Sequence, residues 1–117
     1  MTHDIFVQDL PPGIASVSDI PSDFRPGPIG QRRAVIETIK AIAPYADFSN
    51  PSWGVLAKEG DFHIEVNLGE SENLNSFAFH VAGGVDAEQL VGRILGTLNL
   101  RALDPRSESG LFRSPDH

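Results

Sequence analysis

Hydrophobic and polar positions recur along this chain with two different periods, and the changes of period mark its elements. Val35, Ile36, Ile39, Ile42 and Ala43 recur at helical spacing and Pro44 follows, so the pattern predicts a helix over about Gln31–Ala43. Leu90, Val91, Ile94, Leu95 and Leu98 form a second stripe, predicting a helix over about Ala87–Leu98. Asp86 is its expected N-cap, Gln89 would complete a capping box, and Val85 would staple to Leu90. Gly92 and Gly96 lie on one side of that helix, each weakening it by about 1 kcal/mol relative to alanine.

Between the two stripes the period is two. In Phe62–Leu68 the even positions are apolar, and in Ser76–Val81 the odd positions are the large apolar ones, which is the pattern of half-buried strands. A two-residue turn at Gly60-Asp61 would pair Ala57 with Ile64, Val55 with Val66 and Trp53 with Leu68. That register puts every large apolar side chain of the hairpin except Leu56 on one face. Leu100–Leu103 reads as a short strand ended by Asp104-Pro105, and a further one is expected at Leu111–Arg113. From residue 31 the order is α-β-β-β-α-β, an α+β two-layer sandwich with an antiparallel sheet and two helices on one face. Its expected core is Trp53, Val55, Ile64, Val66, Phe77, Phe79, Val81, Ile36, Ile39, Leu90, Ile94 and Leu98.

Ahead of this pattern, residues 1–30 carry Pro11, Pro12, Pro21, Pro26 and Pro28, so they are expected to form an arm without a helix or central strand. Apolar residues recur through the arm, which predicts docking through Phe6, Ile20 or Phe24 and a short edge strand at Ile5–Val7. Residues 31–113 are the expected single domain, and 114–117 a frayed tail.

Charge and composition narrow the function classes. The 117 residues suit one domain, and Lys+Arg 9 against Asp+Glu 16 gives a net charge of −7. Such a surface repels nucleic acid and anionic lipid and attracts a basic partner. Arg25, Arg32 and Arg33 are too dispersed to form a nucleic-acid patch. The absence of cysteine removes disulfides, thiolate metal sites and thiol nucleophiles. No run approaches the ~18–20 apolar residues of a membrane span. No basic segment leads into an apolar run at the N-terminus, so a cytoplasmic location is expected.

The chemistry-bearing residues collect on the polar side of the strands. Same-face pairing across the Gly69–Asn75 loop sets Glu65 or His63 opposite His80, with Asn67 and Lys58 on the same outer face. His63, Glu65 and His80 are candidate metal ligands, and Glu65 with His80 a candidate catalytic acid–base pair. The plainer expectation is a solvated face with a cross-strand ion pair worth about 0.2–1 kcal/mol. Gly83-Gly84 before a helix fits neither glycine-rich nucleotide fingerprint and reads as a turn, and no cofactor is expected. The acidic Gly69–Asn73 loop lacks EF-hand spacing, and no serine has a nucleophile-elbow context. Phe6, Phe24, Phe48 and Phe112 fall outside the strand alternation, and any of them left exposed would mark an interaction surface.

Residues 5–30, Trp53-Gly54, the HIEVNLG stretch at 63–69, FHV at 79–81 and ALDPRSESGLF at 102–112 together resemble a group of small bacterial proteins of unassigned function. That resemblance spans nearly the whole chain. It implies a bacterial cytosolic, full-length single-domain protein and carries no site residues. Size and charge alone also make the chain similar to immunity proteins that neutralise toxins.

Two classes of function follow. One is a non-enzymatic interaction module offering an acidic surface to a basic protein, with a homodimer through the arm or a sheet edge as a variant. The other is a small ligand-binding protein or enzyme using the Glu65, His63 and His80 cluster. A pocket over the outer face containing those three side chains would favour the second.

Overall fold

The structure, a computed structural model, describes residues 2–11 and 13–113; the tail expected at 114–117 lies outside them. Five strands form one antiparallel sheet in the order β3-β4-β6-β1-β7: β1 (Thr2–Gln8), β3 (Trp53–Lys58), β4 (Phe62–Asn67), β6 (Ser76–Ala82) and β7 (Arg101–Leu103). Two helices, α1 (Arg32–Ile42) and α2 (Val85–Leu98), pack on one face of it. A two-residue ladder of β2 (Gly30–Gln31) with β5 (Asn73–Leu74) ties the start of α1 to the β4–β6 connection. Arg32 reinforces this tie by donating to the Gly69 carbonyl at 3.0 Å and to Glu72 at 3.2 Å.

Alternation builds the core. Ile5 and Val7 of β1, Ile64 and Val66 of β4, and Phe79 and Val81 of β6 all point inward and are fully buried. Val35, Ile39 and Ala43 from the first helical stripe, and Leu90, Val91, Ile94 and Leu95 from the second, complete the same cluster, with Ala87 added from the first turn of α2. Ile36 and Leu98 pack on its margin.

Several sequence expectations are corrected. Thr2–Gln8 is an interior strand flanked by β6 and β7, where an arm with a short edge strand was expected. Proline excludes an interior strand only where it occurs, and the first proline comes at Pro11. The rest of the N-terminal segment is tied down at points: the one-turn 3₁₀ helix Val17–Asp19 bonds the C-terminal loop through Val17 N–H to Ser109, and Ile29 N–H donates to Leu74.

The β3–β4 hairpin is shifted by one residue from the expected register. Leu56 pairs with Ile64, Gly54 with Val66 and Trp53 with Asn67. The connection has three residues, and Gly60 takes φ 78° at the third position of a turn closed by Asp61 N–H to Lys58 O. Because the side-chain period is two, this single step exchanges the faces of β3. Leu56 enters the core at 0% exposure, whereas Trp53 is 37% exposed and Val55 turns outward. Lys58 leaves the outer face with the same step: it pairs with Phe62, and Ala57 stands opposite His63. Phe48 explains how the inward position at Gly54 avoids a hole: its ring occupies the space where a Cβ would stand.

Smaller corrections concern the ends. Gly84, not Asp86, is the N-cap of α2 and makes no side-chain bond; Asp86 sits inside the first turn, and Val85 is exposed instead of stapled. The strand expected at Leu111–Arg113 is a single bridge from Leu111 to Leu103. That bridge covers the β7 edge, and a second, Asp47 to Val55, covers the β3 edge. Among the described residues, no helix is long and apolar enough to cross a membrane.

Candidate functional site

Among the described residues no helix covers the outer face of the sheet, and the residues of that face lie in rows fixed by the strand registers. One row runs Val55, Glu65, His80, Asp4 across β3, β4, β6 and β1. A neighbouring row runs Trp53, Asn67, Ala78, Phe6, Leu103 through to β7. The expected juxtaposition of Glu65 with His80 is therefore present, since the two are direct cross-strand partners.

Their side chains nevertheless have other partners. His80 donates through Nδ1–H to Oδ1 of Asp4 at 2.6 Å. Glu65 accepts from Trp53 Nε1–H at 2.6 Å through Oε1 and from His63 Nε2–H at 3.3 Å through Oε2. The Trp53 indole reaches across β4 to stack on the His80 imidazole, with centroids 5.4 Å apart and planes at 18°. Each pair at this exposed face contributes about 0.2–1 kcal/mol, so what they chiefly supply is fixed orientation.

Chemically, Asp4 selects the His80 tautomer with its proton on Nδ1. The lone pair then lies on Nε2, the arrangement of an oriented general base. Enclosure is what this site lacks. A depression of about 350 Å³ opens on the outer face, but it lies over Phe6, Ala78 and Leu103 and is not lined by His63, Glu65 or His80. His63 lines a separate, open depression at the β3–β4 turn. As to metal, His63, Glu65 and His80 do not converge on one point, and among the described residues no three histidine or acidic side chains gather as a ligand set.

Asp4, Phe6, Trp53 and Val55 are members of this face that the sequence reading did not place there. Asp4-Ile5-Phe6-Val7-Gln8 holds three consecutive apolar residues, so the sequence alternation is broken at Phe6, and it is the burial of Ile5 and Val7 that sets Asp4 and Phe6 on the outer face. Phe6 is 38% exposed, the condition under which it was expected to mark an interaction surface. Asp47, whose backbone bridges Val55 at the β3 edge, is a titratable group held away from its ordinary value. The Ser49 backbone N–H, 2.9 Å from Oδ1, holds its carboxyl below the usual carboxylate range.

No protein-family model, curated protein or solved structure matches this chain.

Proposed function

We propose that this chain is a non-enzymatic interaction module of the bacterial cytoplasm that presents the uncovered face of its sheet to a basic partner protein, in the manner of an immunity protein. The supporting observation is the exposure of Trp53 and Phe6 in one row of an uncovered five-stranded face. Tryptophan is prominent among residues that anchor interfaces, and a large exposed aromatic otherwise costs solubility. Asp4 and Glu65 stand in the adjoining row, and the chain as a whole carries a charge of −7. Both sheet edges are partly covered by bridging segments, which leaves the face as the larger free surface and the homodimer through an edge as the weaker variant.

Affinity capture with matched baits tests this. Wild-type protein and a Lys40→Ala control on α1 should retain the same basic protein, and Trp53→Ala with Phe6→Ala should reduce retention by at least about tenfold. Retention should also fall as salt rises from about 0.05 to 0.5 M, because screening shortens the reach of the acidic surface. Equal capture by all three baits would overturn the reading.

A second reading rests on the Asp4–His80 hydrogen bond, which orients His80 as a base. It takes the chain as a small ligand-binding protein or enzyme using Asp4, His80 and Glu65. Absence of a protein partner at low salt, with a small molecule bound at Glu65 and His80, would select it.

A further inference from the structure

Away from the outer face, the β3–β4 turn and Tyr45 meet α2 around a cavity of about 350 Å³. Each segment reaches it for a local reason. The turn closes through Asp61 N–H to the Lys58 carbonyl at 2.9 Å, which sets those two residues at its ends. On α2, Asp86, Gln89, Leu90 and Arg93 fall three or four residues apart and therefore share a face. Phe62 and Leu90, both buried in the core, supply the apolar part of the lining.

Lys58, Arg93, Asp61 and Asp86 give that lining two positive and two negative side chains. Among the described residues none of the four has an ion-pair partner. Tyr45 shows which of them stand close together. Burial, and then the Asp61 carboxylate, push its phenol above the ordinary value, while the Arg93 guanidinium pulls it back. An anion and a cation therefore flank one protonated hydroxyl without bonding to each other. A lone anion entering here would meet two carboxylates, and a lone cation two positive groups, so neither charge by itself suits the lining. A molecule carrying both charges a few bonds apart satisfies it, and an apolar substituent on that molecule would cover Phe62 and Leu90. The volume of about 350 Å³ stands near the bottom of the range for ligand sites, about 300–1,000 Å³, which suits one small molecule.

We infer that this cavity binds a free α-amino acid with an apolar side chain, its carboxylate held by Arg93 and the Tyr45 hydroxyl and its ammonium by Asp61. Lys58 and Asp86 add a second charge of each sign, which strengthens the hold on a zwitterion without favouring a simple ion. The site shares no residue with the two rows of the outer face, so it stands independently of the interaction reading.

The test uses the full chain, ¹⁵N-labelled, titrated with L-leucine and with L-phenylalanine. At least one of them should shift the Asp61, Phe62 and Arg93 backbone signals and the Gln89 side-chain amide saturably. The N-acetyl derivative of the better ligand lacks the ammonium, and its amide derivative lacks the carboxylate. Each should bind at least about fivefold more weakly, because a charge-assisted hydrogen bond is lost. Glycine, with both charges and no side chain, should bind at least about threefold more weakly. Arg93→Gln and Asp61→Asn change exposed side chains and should each weaken binding about fivefold, with unchanged signals elsewhere verifying the fold. Tyr45→Phe serves as a second kind of variant, which keeps every charge and should weaken binding about two- to threefold. No saturable shift with either amino acid, equal binding of either blocked derivative or of glycine, or wild-type binding by the two charge variants would overturn the proposal.

Discussion

The two faces of the sheet are made from the same strands, yet they are organised by different forces. Inward, Phe79, Ile64, Val66, Ile5 and Val81 lose all contact with water and are locked by packing against both helices. Outward, their immediate neighbours in sequence, together with Trp53 of β3, are joined by directed contacts: Asp4 to His80, Trp53 to Glu65, Glu65 to His63. Burial is proportional to area and contributes most of the stability, whereas an exposed hydrogen bond nearly exchanges one partner for water. The outer contacts therefore arrange a surface that the inner face has already stabilised. An ordered surface that adds little to folding is one whose side chains are free to serve binding.

Substitutions at adjacent positions of one strand test that division most directly. Phe79→Ala should cost about 3–5 kcal/mol in urea unfolding, because the ring leaves a cavity between sheet and helices. A cost under about 1 kcal/mol would mean that the inner face is loosely packed. Gly54→Ala comes next. Its new methyl would meet the Phe48 ring, and forcing that ring aside should cost about 1–3 kcal/mol. A neutral result would show that Phe48 moves freely and is not a core filler.

On the outer face, His80→Ala should cost about 1 kcal/mol or less, while altering the fluorescence of Trp53, the chain's single tryptophan. A destabilisation matching that of Phe79→Ala would erase the contrast between the faces. The smallest effect belongs to the β3 edge. Asp47 has its carboxyl held low, so its contribution is fully present above the ordinary carboxylate range and is lost as pH falls through the folded value. The urea midpoints of wild type and Asp47→Asn should therefore converge between neutral pH and acid. A gap that widens on acidification would reverse the sign of that argument.

How much of this was legible depended on what each pattern could see. The helical stripes named the buried side chains of α1 and α2, and alternation oriented β4 and β6 correctly, because a continuous apolar face belongs to the element itself. β3 was misread because its inward side carries Gly54, and the ring filling that place comes from Phe48, outside the strand. A rule that gathers the largest apolar side chains inside then prefers Trp53 and Val55, and moves the register by one. Position within a sheet is likewise not local. Nothing in Thr2–Gln8 announces that its partners are Ala82–Ser76 on one side and Leu103–Arg101 on the other. For the site, Glu65 opposite His80 was readable from parity, but two of the partners that occupy their polar atoms, Trp53 and Asp4, came from the two misplaced strands.

The interior place of β1 has a consequence in time. Phe6 pairs with Leu103, residues 97 positions apart, and Thr2 pairs with Ala82. Synthesis at about 5–20 residues per second separates the appearance of Phe6 and Leu103 by roughly 5–20 s. For most of that interval, until β6 is made, Ile5, Phe6 and Val7 have neither of their flanking strands available, and until β7 follows they have only one. The first strand made is among the last to be enclosed, and contacts so distant along the chain slow folding further, since their loops must close before any pairing stabilises them. A nascent chain halted before β7 emerges would hold an unfinished sheet with one side of β1 open, and that unpaired edge is where a chaperone, or a second nascent chain, would first find it.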